Sequence, residues 1–163
     1  MSAKRVDPRA ASVNYRGMSV ASVQQLLEDT DVPLLRGLSK RDLRRVAKLA
    51  EVKRCLPGAT IFRAGARGDA FYIIVAGNAE ARMPDGSTEA LHAGDYFGEL
   101  SLVDGAPRAA DVVCMGELTV VRIERRAFLE LLREEPGIAV VILTGVVGIV
   151  RALQVQLDLR SPG

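Results

Sequence analysis

The 163-residue chain weighs 17.5 kDa, enough for one domain with an appended arm. Hydrophobic residues make up 48% and charged residues 26%, an ordinary globular balance that argues against a disordered chain. A single histidine, no tryptophan and 4% aromatics point away from histidine-rich metal sites and from aromatic platforms for single-stranded nucleic acid.

The net charge of +2 is divided unevenly. Residues 1–54 carry 12 Lys/Arg against 6 Asp/Glu, and residues 55–163 carry 10 against 14. Residues 1–18 read as a flexible basic arm with no apolar stretch behind its charges, so no secretory signal is expected. Residues 19–54 read as an N-terminal helical segment. Its first helix is expected from Ser19 to Asp29, with Val20, Val23, Leu26 and Leu27 on one stripe and a Ser22/Gln25 capping box. A second helix is capped by Ser39, with Asp42 in its first turn and Leu38 and Leu43 as a hydrophobic staple. Its stripe runs Leu43, Val46, Ala47, Leu49, Ala50, which leaves its basic residues on a solvated face.

From Cys55 to Glu124 the texture changes to short β-type stretches. Turns at Pro57-Gly58, Asp85-Gly86 and Gly94-Asp95 separate them, the pattern of an antiparallel barrel or jelly roll. Cys55 and Cys114 form no CxxC pair and read as reduced core thiols in a reducing, cytoplasmic compartment. The only histidine, His92, falls in a turn and is assigned no role.

Residues 125–157 return to helix: RRAFLELLREE, a Pro136-Gly137 break, then a longer helix to about Leu157. Its apolar run from Ile138 to Val150 falls short of the ~20 residues that span a bilayer, so no transmembrane segment is expected. The run is apolar nearly all round, so the helix is expected either to be buried against the roll and a second chain or to lie on a membrane. Ile142, Val146, Ile149 and Leu153 follow an a/d spacing that predicts a homodimer through it. Gly145, Gly148 and Ala152 form a small-residue strip beside that seam. The fold class is therefore α+β: an antiparallel β-roll, jelly-roll-like, flanked by N-terminal and C-terminal helices.

The stretch that interrupts the β pattern, residues 94–113 (GDYFGELSLVDGAPRAADVV), carries the chemistry. Phe97 to Leu102 reads as the entry and first turn of a short helix. Gly98 lets the backbone approach a ligand, and the helix end offers N–H groups to an anion. Arg108 follows nine residues after Glu99, with the small residues Ala109 and Ala110 behind it. An arginine fork, helix-end amides and one carboxylate suit a singly charged phosphate joined to a sugar hydroxyl.

These residues resemble the phosphate-binding cassette of the cyclic-nucleotide-binding domain family, usually FGE(L/I)(A/G)L…PRAA(T/S)V. The upstream run from Gly65 to Gly77, GARGDAFYIIVAG, resembles that family's other signature, and the resemblance covers roughly residues 32 to 157. It implies that Arg108 pairs with the cyclic phosphate and that Glu99 accepts the ribose 2′-hydroxyl. Backbone N–H groups around Gly98, Leu100, Ser101 and Ala109 would close around phosphate and sugar, with Ala110 completing the cassette. Ala109 stands where Thr or Ser often favours cyclic GMP, so the resemblance implies cyclic AMP. Asp111 departs from the family's Thr or Ser and sets a negative charge near the site. The last helix often dimerises in this family and closes over the base, which would bring Leu153 or Gln154 to it.

The implied protein is a stand-alone sensor with no cofactor, no catalytic residues and no metal site. Its downstream protein partner is unknown. No helix-turn-helix fits after Leu157, so direct DNA regulation is not expected. The competing readings are a nucleotide-independent dimerisation scaffold with a degenerate cassette, and binding of cyclic GMP.

Overall fold

The computed structural model describes residues 12–14, 17–98 and 105–161. Helix α1, Val20–Thr30, is capped by Ser19, whose hydroxyl accepts from the Ser22 amide. Ser22 is therefore the capped residue, not the cap, and the expected Ser22/Gln25 box gives way to Ser19 one turn earlier. Helix α2, Lys40–Leu49, follows a 3-10 turn at Pro33–Leu35 and is capped as predicted, Ser39 accepting from the Asp42 amide. Leu43 is buried and Leu38 packs against the same core, as the staple requires.

Among the described residues nine strands follow in chain order: β1 Ser12–Asn14, β2 Ala50–Cys55, β3 Thr60–Phe62, β4 Ala70–Ala76, β5 Ala79–Arg82, β6 Thr88–Leu91, β7 Tyr96–Phe97, β8 Asp111–Cys114 and β9 Leu118–Glu124. They form two antiparallel sheets, ordered β1-β2-β9-β4-β7 and β3-β8-β5-β6. Two boundaries differ from those read in the sequence. Ser12–Asn14, within the stretch expected as a flexible arm, pairs with Lys53–Cys55 of β2. The roll also begins at Ala50 rather than Cys55, because Glu51 to Arg54 pair directly with β9.

Two cores result. One lies between the sheets, where Ala70, Tyr72 and Ile74 of β4 meet Leu118 and Val120 of β9 and Val112 and Cys114 of β8. The other lies under the helices, where Phe71 and Ile73 of β4 and Val121 and Ile123 of β9 meet Val23, Leu27, Val46 and Phe128. β4 and β9 thus bury both faces, which explains their continuous apolar runs, AFYIIVA and LTVV. Helix α3, Arg125–Glu134, is locked to β4 by an edge-on Phe71–Phe128 pair with centroids 5.1 Å apart.

Helix α4, Pro136–Arg160, runs 25 residues but packs along one narrow stripe. Ile138 is buried, Ile142 packs on the helical core, and Ile149 is half-buried. Gly145 makes that approach possible, since a Cβ there would lie 3.3 Å from the Leu34 carbonyl oxygen. Ile142 and Ile149 therefore do not belong to an outward seam, as the sequence suggested. The exposed seam is Leu143, Val146, Val150, Leu153 and Leu157, at alternating spacings of three and four. By length and composition α4 could also cross a membrane, with mean hydropathy 2.2 over an 18-residue window that is 6% buried.

Candidate functional site

Arg108 is the one charged residue buried in either core among the described residues, its side chain 2% exposed. Its Nη1 donates to the Gly98 carbonyl at 3.1 Å, and its Nη2 donates to the Ala70 carbonyl. Its guanidinium carbon lies 4.2 Å from the ring centroid of Phe62. A buried guanidinium with fixed contacts is a positive charge already desolvated and aimed, which suits a compact phosphate.

The backbone around Arg108 is held as firmly. Its N–H donates to Ala66 and its carbonyl accepts from Gly65, both at 2.8 Å, which ties the cassette to the turn after β3. Gly98 takes φ +83°, where a side chain is strained, and a Cβ there would come within 2.6 Å of Arg108 Nη1. Glycine at 98 thus makes room for the arginine. Ala109 is exposed, and Ala110, just before β8, is buried. Glu99, Leu100 and Ser101, with the short helix expected from Phe97 to Leu102, lie outside the described residues.

Asp69 is a participant the sequence reading did not assign. Its carboxylate lies 3.8 Å from Arg108 Nη2 and 3.6 Å from Arg122 Nη2, and Arg122 in turn lies 3.7 Å from Glu51. Asp69 itself is anchored because its carbonyl accepts from the Arg125 amide at 2.8 Å. A carboxylate immediately before an apolar strand was the available signal; its arginine partners were not visible. Tyr72 stacks on Phe97 with centroids 5.1 Å apart, and burial pushes its phenol pKa up, with Arg122 opposing. The ring stays neutral at physiological pH.

Asp111 has a structural use. Its carboxylate accepts the Ala64 amide at 2.7 Å and fastens the same turn that holds the Arg108 backbone. His92 is exposed, its ring bonded to Asn78. Cys55 and Cys114 are free, buried thiols that share a hydrogen bond, which lowers the Cys55 pKa and raises that of Cys114. No group of three or more His, Cys, Asp or Glu poised for a metal occurs among the described residues.

A family model, the cyclic nucleotide-binding domain, matches residues 52–135, from β2 through α3. The cAMP-dependent protein kinase regulatory subunit of Colletotrichum orbiculare is 37% identical over 124 residues, covering 74% of this chain and 32% of that protein. Its counterpart in Mycosarcoma maydis is 40% identical over 117 residues, covering 66% and 22%. The chain thus spans between 22% and 32% of the length of these two curated relatives. The regulatory domain of Toxoplasma gondii protein kinase A, solved with cAMP, matches with a TM-score of 0.63 and 34% identity, covering 69% of this chain and 45% of that one. A cyclic nucleotide-binding domain from Methylobacillus flagellatus matches with a TM-score of 0.73 over 94% of this chain and 91% of that one. At 18% identity that likeness concerns the fold alone.

Proposed function

Because this chain belongs to the cyclic nucleotide-binding domain family, we propose that it is a cyclic AMP sensor whose cassette runs from Gly98 to Ala110. The observation that carries this reading is Arg108, buried and fixed by the Gly98 and Ala70 carbonyls. The guanidinium takes the cyclic phosphate. Glu99 takes the ribose 2′-hydroxyl, and the amides of Gly98, Leu100, Ser101 and Ala109 close the ring of donors. Ala109 offers no hydroxyl to a guanine amino group, so cyclic AMP is preferred to cyclic GMP. Asp111 has a structural use in accepting the Ala64 amide, so its departure from the family's Thr or Ser is not by itself an argument for the scaffold reading.

The output runs through α4. Ligand binds better to one arrangement of the terminal helix, and that differential affinity sets how far the equilibrium moves. The exposed seam from Leu143 to Leu157 pairs with the same seam of a second copy. Thr144, Arg151 and Asp158 recur at seven-residue intervals on a separate polar flank, which a helix pair leaves in water. We place the protein in the cytoplasm, in keeping with its free thiols, as a regulatory and not a catalytic component acting on a protein partner.

The test is displacement of a fluorescent cyclic AMP analogue by cyclic AMP, cyclic GMP and linear AMP. Displacement in the order cyclic AMP, cyclic GMP, AMP supports the proposal. No saturable binding by a folded chain rejects it in favour of the scaffold reading.

A further inference from the structure

The end of β3 departs from a regular strand. Thr60 pairs with Val113 and Phe62 pairs with Val112, so two steps along β3 match one along β8. In an unbroken ladder neighbouring side chains point to opposite faces, and a bulge re-aims them. Here Ile61 and Phe62 both pack on the core between the sheets. The bulge brings the Phe62 ring to the Arg108 guanidinium, 4.2 Å from centroid to Cζ.

The ring is itself held from two sides. Tyr72 and Phe97 lie 5.8 and 5.7 Å from it, both tilted, and are stacked on each other. Phe62 is thus the outer member of an aromatic trio whose negative face meets the buried cation. The two carbonyls fix where the guanidinium's edge donates, with the Asp69 carboxylate 3.8 Å away, and the Phe62 ring offers the guanidinium a face.

We infer that Phe62 is a positioning residue for anion binding: its π-face sets the plane of Arg108 and offsets the loss of water around it. This rests on the proposed function for its ligand, but not for its geometry. The turn that follows, Arg63 to Ala66, holds the Arg108 backbone, so one short segment fixes both halves of the arginine.

The test replaces Phe62 with Tyr, with Leu and with pentafluorophenylalanine, which keeps the shape and reverses the ring's quadrupole. Two readings are taken: cyclic AMP affinity, and the Arg108 guanidinium proton resonances in the nucleotide-free protein. Phe62→Tyr should retain affinity, and the Leu and pentafluoro variants should bind about 3- to 30-fold more weakly. Slow guanidinium rotation should persist in the wild type and the Tyr variant and be lost in the other two. A chain that binds no nucleotide but shows these guanidinium changes defeats the proposed function and sustains the inference. Unchanged rotation in the pentafluoro variant overturns the inference, whatever the affinities. Should Phe62→Leu fail to fold, the pentafluoro variant decides alone.

Discussion

Strand β4 and helix α4 carry similar continuous apolar runs, AFYIIVA and IAVVILTGVVGIV, and the fold treats them differently. In β4 both faces are used inside the chain: Phe71 and Ile73 meet the helices, while Tyr72 and Ile74 meet the second sheet. In α4 one stripe meets the 3-10 turn and the helical core, and Val140, Leu143, Val147 and Val150 stand in solvent. A run apolar on every side signals burial on more than one side. The strand finds its second partner within the chain. Among the described residues the helix finds none, and on the proposed function this makes α4 the element on which a ligand or a second copy would act.

The contrast can be broken by substitution. Phe71→Ala removes a fully buried ring from between β4 and α3 and should cost about 3–5 kcal/mol in denaturant unfolding. Ile138→Ala, at the buried root of α4, should cost about 2–4 kcal/mol by the same measurement. A loss below ~1 kcal/mol there would mean that α4 is not anchored at all. Farther along, Leu143→Ser with Leu153→Ser should change monomer stability by no more than about 0.5 kcal/mol per site. The same pair should abolish self-association in sedimentation equilibrium. Self-association that survives the pair would place any dimer contact elsewhere.

The smallest expected effect concerns the turn on which α4 rests. Asp31 lies just before it, and the hydrogen bond from Arg36 holds its carboxyl below the ordinary carboxylate range. The stability this adds is present above that range and fades as pH falls through the folded-state value. From about pH 6 to about pH 3 the wild type should lose slightly more Tm than Asp31→Asn. Parallel pH profiles would remove the contact from the account. Asparagine also tolerates the left-handed φ of 51° at this position.

Local chemistry made most of the architecture legible. Ser39 with Leu38 and Leu43 marked the start of α2, and the Pro-Gly and Asp-Gly pairs marked the turns of the roll. The contact between Arg108 and the Gly98 carbonyl joins residues only ten positions apart, near enough in the chain to be read as one motif. What escaped depends on contacts between distant residues. Asp69 lies 39 positions from Arg108 and reveals itself only when β4 is laid beside the cassette. The polar stretch Glu51 to Arg54 hid the first residues of β2, because a half-exposed strand resembles the end of the preceding basic helix. The α4 seam was misread by one residue at two places. Val146 and Leu153 fit either register, and the Gly145 approach to Leu34 decides between them.

The most direct measurement is calorimetric titration of the chain and of Arg108→Ala with cyclic AMP, each first shown to be folded by its unfolding transition. The account predicts saturable binding to the wild type and a loss of roughly 2–5 kcal/mol in the variant, because a buried charged partner of the ligand is removed. Equal binding by the two proteins would contradict it, since the cyclic phosphate would then be held by something other than Arg108.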